Sequence, residues 1–105
     1  MSFVNDLSDA ELVTLYQSDS SEAALELLSR YAPLRESLLK SLKQSGQSKR
    51  LFHEMQDHRS EFNVIFLQSC KKYKAGHMDF RGYINSQVKM HFKAYLRKYY
   101  RDGRH

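Results

Sequence analysis

The sequence contains no tryptophan, one cysteine, one proline and four glycines. A single thiol, Cys70, cannot close an internal disulfide, and its helical spacing between Leu67 and Tyr73 suits a small buried hydrophobe. With so few helix-breaking residues and few β-branched runs, neither a strand-rich nor a collagen-like chain is expected. No stretch approaches the roughly 18 to 20 uncharged apolar residues of a membrane span. Residues 1–6 lack a basic segment followed by an apolar one, so no secretory leader is expected and the reading is cytoplasmic. There is no Gly-rich phosphate loop, no His/Cys/carboxylate set at metal spacing and no nucleophile with a readable base, so an enzyme is not expected, nor any metal or cofactor.

The 105 residues allow one modest core, and one domain over 1–105 is expected. Charge is unevenly divided. Residues 1–48 hold four Lys/Arg against seven Asp/Glu, and residues 49–105 hold thirteen against five. An acidic half is thus joined to a basic one.

Helical periodicity dominates. Ser8 and Glu11 have the capping-box spacing, which predicts a helix from Asp9 to about Gln17. The polar break at residues 18–21 offers a second N-cap, followed by Ala24, Leu25, Leu27, Leu28 and Tyr31 at helical steps. That helix is expected from Ser21 to Lys43, with a kink or fresh start near Ala32 because Pro33 lacks a backbone donor. Residues 44–48 hold no apolar side chain and read as a mobile loop. Leu51, Phe52, Met55, Phe62, Ile65, Phe66, Cys70 and Tyr73 trace a third helix from Lys49 to Lys74, ended by Ala75 and Gly76 as a C-cap. His53 and His58, five apart, do not share a face as zinc ligands would and read as solvated or nucleic-acid-near.

Asp79 can cap a fourth helix running to about Tyr100, with Phe80, Tyr83, Ile84, Val88, Phe92, Tyr95, Leu96 and Tyr99 inward. The fold expected is all-α, a compact bundle of about four helices. On the last helix Lys89, Lys93, Arg97 and Arg101 recur every four residues and drift only about 120° around the axis. Residues 81–105 hold seven Lys/Arg and one acid, interleaved with Tyr95, Tyr99 and Tyr100. That combination suits phosphate neutralisation with rings for base stacking. The same residues also fit a solvated basic face with tyrosines in the core.

Several segments, read in order, resemble the second conserved region of bacterial RNA polymerase sigma factors of the sigma-seventy type. Residues 7–17 (Leu7-Ser8-Asp9-Ala10-Glu11-Leu12 onward) resemble its opening helix, and Arg30-Tyr31-Ala32-Pro33-Leu34 resembles a motif midway along it. Asp57-His58-Arg59-Ser60-Glu61, followed by Val64, Phe66, Leu67, Cys70 and Lys72-Tyr73, is similar to the family's third helix without a gap. Phe80-Arg81-Gly82-Tyr83-Ile84, with Val88, Phe92 and Leu96-Arg97, continues the match, which covers roughly residues 7–100.

The resemblance implies binding to a coiled coil of the largest polymerase subunit through Asp57, Ser60 and Glu61. It also implies contact with the promoter's minus-ten element through Arg81, Tyr83, Lys89, Lys93, Tyr95, Arg97, Tyr99 and Arg101. Without it, Asp57 and Glu61 read as solvated carboxylates balancing Arg59 and Lys72. Ser60 stands where the family usually has Gln, Asn63 where it has an apolar residue, and Ser86-Gln87 where many members have aromatics, so DNA opening is the least supported part. These 105 residues hold no second helix-turn-helix domain for the minus-thirty-five element, so the expectation is either a partner, such as a second sigma-like subunit, or that the sequence is a fragment. The competing reading is a regulatory module of a mobile element that binds DNA or protein without engaging polymerase.

Overall fold

The computed structural model describes residues 3–44, 51–74, 76 and 79–102. After a short 3-10 turn at Phe3–Asp6 come five α-helices: α1 (Asp9–Gln17), α2 (Ser21–Arg30), α3 (Ala32–Gln44), α4 (Leu51–Lys72) and α5 (Phe80–Asp102). No strand occurs among the described residues, so the all-α expectation holds with five helices in place of about four. The extra helix arises at Pro33. Helix α2 stops at Arg30, Tyr31 serves as its C-cap, and α3 restarts at Ala32, which puts Pro33 in a first turn where its missing N–H is no loss.

The helix starts follow local chemistry. The Ser8 side chain accepts from the Glu11 N–H at 3.2 Å while the Glu11 carboxylate accepts from the Ser8 N–H at 2.8 Å. Ser20 caps α2 through the Ala23 N–H, and the Asp79 carboxylate accepts from the Gly82 N–H at 3.2 Å to open α5. Of the mobile loop expected at residues 44–48, Gln44 instead ends α3, and residues 45–48 lie outside the described residues, as do Lys49, Arg50 and Ala75.

The end of α4 differs from expectation. The helix closes at Lys72, and it is Gln17 from α1 whose side-chain amide donates to the Cys70 and Tyr73 carbonyls, both at 2.9 Å. A helix end leaves carbonyls without intrahelical partners, and here a distant amide satisfies them. Gly76 follows in a turn at φ +93°, a backbone angle that favours glycine.

The core draws on every helix: Leu12 and Val13 of α1, Ala23 and Leu27 of α2, Leu39 of α3, Phe62, Ile65, Phe66 and Cys70 of α4, and Phe80, Ile84, Val88 and Phe92 of α5. Phe62 stacks on Phe66 with centroids 6.2 Å apart and meets Phe92 edge-on at 5.9 Å. Such pairs add about 0.5–1.5 kcal/mol beyond the area they bury. Contacts pair Tyr73 with Phe80, Phe62 with Phe92 and His58 with Tyr95, so α4 and α5 run antiparallel.

Arg30 fastens the N-terminal turn to this core. It donates to Asp9 at 3.0 Å, to Glu26 at 2.9 Å and to the carbonyls of Val4 and Asn5. The Tyr31 hydroxyl donates to the other Asp9 oxygen at 2.7 Å, and burial chiefly raises its pKa. The Arg-Tyr dipeptide of the midway motif thus has a structural role in this chain.

Candidate functional site

The long helices α4 and α5 carry the candidate residues. Along α5, Phe80, Ile84, Val88 and Phe92 occupy the buried side at steps of four. Lys89 and Lys93 follow Val88 and Phe92 by one residue, roughly 100° further round, Arg97 and Arg101 continue the row at steps of four, and all four are exposed. Lys89, Lys93 and Arg97 form no ion pair among the described residues. The row is a continuous cationic flank, as the spacing predicts.

The tyrosines face elsewhere. The Tyr83 hydroxyl donates to the Ser69 carbonyl at 3.2 Å, and its ring lies 5.1 Å from that of Tyr73. Tyr95 is 5.7 Å from Phe92 in a stacked pair, and Tyr99 is 5.7 Å from Tyr95. Arg81, exposed at the start of α5, holds its guanidinium 5.5 Å from the Tyr31 ring centroid. The structure therefore gathers Lys89, Lys93, Arg97 and Arg101 on one flank and sets Tyr83, Tyr95, Tyr99 and Arg81 against neighbouring rings.

The tyrosines are organised by His58, whose expected solvated position is overturned. Its ring is wholly buried, with Nδ1 2.9 Å from the Tyr95 hydroxyl and Nε2 3.2 Å from that of Tyr100. The Tyr99 ring meets it edge-on at 4.8 Å. A buried imidazole needs partners for both nitrogens, and two hydroxyls, each able to donate or accept, supply them. Burial first, then the nearby Glu61 carboxylate, pushes the Tyr95 pKa up, so its proton stays on. Sequence held a signal for this placement. His58 lies three residues after Met55 and four before Phe62, squarely on the apolar stripe of α4. The side chain of His53 lies outside the described residues.

On the outer face of α4, Asp57 and Ser60 are exposed and Glu61 is half-buried. The expected balance with Arg59 is not what forms. Arg59 turns to α3 and donates to both carboxylate oxygens of Glu36, at 3.0 and 2.9 Å. With Arg35 also donating to Glu36 at 2.8 Å, the Glu36 carboxyl is held down to about 2, first by Arg59. Arg35 reaches the Asn63 side-chain oxygen at 3.3 Å, which gives a polar residue at that half-buried position a reason to be there. Asp57 and Glu61 form no ion pair among the described residues; Asp57 is exposed, whereas Glu61 is half-buried and lines the side of α4 that faces α5.

Between α4 and α5 runs a groove of about 440 Å³. Glu61, Gln68 and Lys72 form one wall, Gln87, His91 and Lys98 the other. Gln87 and His91 precede Lys89 and Lys93 by two residues, roughly 200° of helix rotation, so those two lysines lie on the side of α5 away from the groove, while Arg97 and Arg101 come closer to its Ala94 and Lys98 edge. The groove is of mixed charge, with Glu61 set among Lys72 and Lys98, and Lys89 and Lys93 lie away from it. Cys70 is buried, and desolvation pushes its thiol up to about 12, which leaves it unreactive at neutral pH.

Among the described residues, no group of three or more His, Cys, Asp or Glu is placed to hold a metal ion, and no helix is long and apolar enough to cross a membrane. Comparison with known protein families, curated proteins and solved structures finds no match to this chain.

Proposed function

We propose that this chain is a sigma-like transcription-initiation domain that binds RNA polymerase core through Asp57, Ser60 and Glu61 and contributes to promoter minus-ten recognition through α5. The observation that carries the reading is the separation of two kinds of charge: the carboxylates of Asp57 and Glu61 on α4, and Lys89 and Lys93 on the flank of α5 turned away from the groove, with Arg97 continuing that row. An initiation domain has to hold a protein and a nucleic acid at once, and this separation allows both without competition. The resemblance of residues 7–100 to the second sigma region supports the reading, since it implies a polymerase contact for the acids of α4 and a DNA contact for α5. The reading requires neither cofactor nor metal and gives the domain no catalytic role. Recognition of a minus-thirty-five element is left to another domain, on this polypeptide or on a partner.

Electrostatics supports the division of labour. Basic side chains on one flank attract the phosphate backbone from a distance and fix the register of contact. Charged pairs across a protein interface speed encounter and reject wrong partners, which suits Asp57 and Glu61 left uncompensated by Arg59.

The test is a binding titration of the purified protein against bacterial polymerase core, wild type beside an Asp57→Ala, Glu61→Ala double variant. Saturable binding that the variant loses by tenfold or more is the expected result. Absence of binding at micromolar concentrations would sink the polymerase contact and leave a module that binds DNA alone.

A further inference from the structure

On the cationic flank of α5 one large side chain is apolar. Met90 is 52% exposed, next in sequence to Lys89. Helix geometry puts it roughly 60° from Lys93 and within about 20° of Arg97 on the wheel. The other exposed large hydrophobics lie apart: Leu15 on α1, Leu25 on α2 and Val64 on α4. Tyr100, the remaining one on α5, has its hydroxyl on His58. The rings that could have met bases are engaged with one another and with α4. Met90, more exposed than Tyr100, is therefore the one flexible apolar side chain that projects among these cations.

We infer that Met90 reads base edges, making apolar contact with thymine methyl groups while Lys89, Lys93 and Arg97 hold the flanking phosphates. The inference rests on the reading of this flank as the DNA face. In the major groove thymine differs from the other bases by its C5-methyl, the one apolar feature there that a side chain can read. An unbranched side chain with three rotatable bonds adapts to such a group and loses water on contact. Cations seated on phosphates carry no sequence information, so a basic row held on the backbone would not discriminate. Met90 converts this electrostatic face into one that favours A·T pairs.

The experiment compares a fluorescein-labelled A·T-rich duplex with the same duplex carrying deoxyuridine at every thymine, which deletes only the methyls. Wild type is expected to prefer the thymine duplex by about fourfold per contacted methyl. Met90→Ala, at an exposed position and checked by circular dichroism for unchanged helix content, should bring the ratio to one. Lys93→Ala should weaken both duplexes alike and keep the ratio. A wild-type ratio of one, a Met90→Ala protein that still discriminates, or no duplex binding at all would each overturn the inference. Binding to polymerase core is scored separately, so failure here is distinct from failure of the initiation reading.

Discussion

Binding of α5 to a B-form duplex should fall steeply with salt, and the slope can be worked from the structure. Lys89, Lys93 and Arg97 are exposed and form no ion pair among the described residues, so each can displace a counterion from DNA. At about 0.9 counterion per phosphate contact, three contacts give a log–log slope of about −2.7. Raising salt from 50 to 200 mM would then weaken binding by about 40-fold. Lys93→Ala should reduce the slope to about −1.8, whereas Lys98→Ala, on the groove side, should leave it near the wild-type value. Fluorescence anisotropy across five salt concentrations measures all three proteins. A wild-type slope shallower than about −1, or equal losses for Lys93→Ala and Lys98→Ala, would refute the assignment of the DNA face to this flank.

Further outcomes follow from the same contacts. His58→Ala strips the Tyr95 and Tyr100 hydroxyls of their imidazole partner and leaves a hole, and should cost about 2–4 kcal/mol in urea denaturation; a loss under about 0.5 would contradict its buried role. The depressed Glu36 carboxyl contributes stability that is present above its ordinary value of 4.5 and is lost as pH falls from there toward about 2. Because Glu36 is 44% exposed, solvent screening limits the effect to about 1 kcal/mol, and Glu36→Gln should flatten that part of the stability–pH curve. Cys70 should resist iodoacetamide at pH 8 in the native protein and react promptly in denaturant, as read by mass spectrometry.

Local chemistry wrote much of this architecture into the chain. The Ser8–Glu11 capping box, the Asp79 cap and the break at Pro33 depend on side chains within four residues of the backbone they serve, so they are legible without a fold. The cationic row of α5 is equally local, since one helical period sets it. The placement of His58 was half-legible: its position on the apolar stripe was there to be read, yet the polarity of imidazole argued for solvent until the hydroxyls of Tyr95 and Tyr100 were seen beside it. The partners of Arg59 and Asn63 on α3 were not legible at all.

What the sequence by itself determined is therefore the set of helices, their caps and the stripe that each turns inward or outward, because those depend on the 3.6-residue period and on near neighbours. Only the tertiary structure decided that the tyrosines of α5 close around His58, that Glu36 claims Arg59 and so leaves Asp57 and Glu61 without it, and that Gln17 caps α4 from another helix. Those contacts join residues 23 to 53 positions apart, where chain spacing carries no information and the packing of one helix against the next chooses the partner.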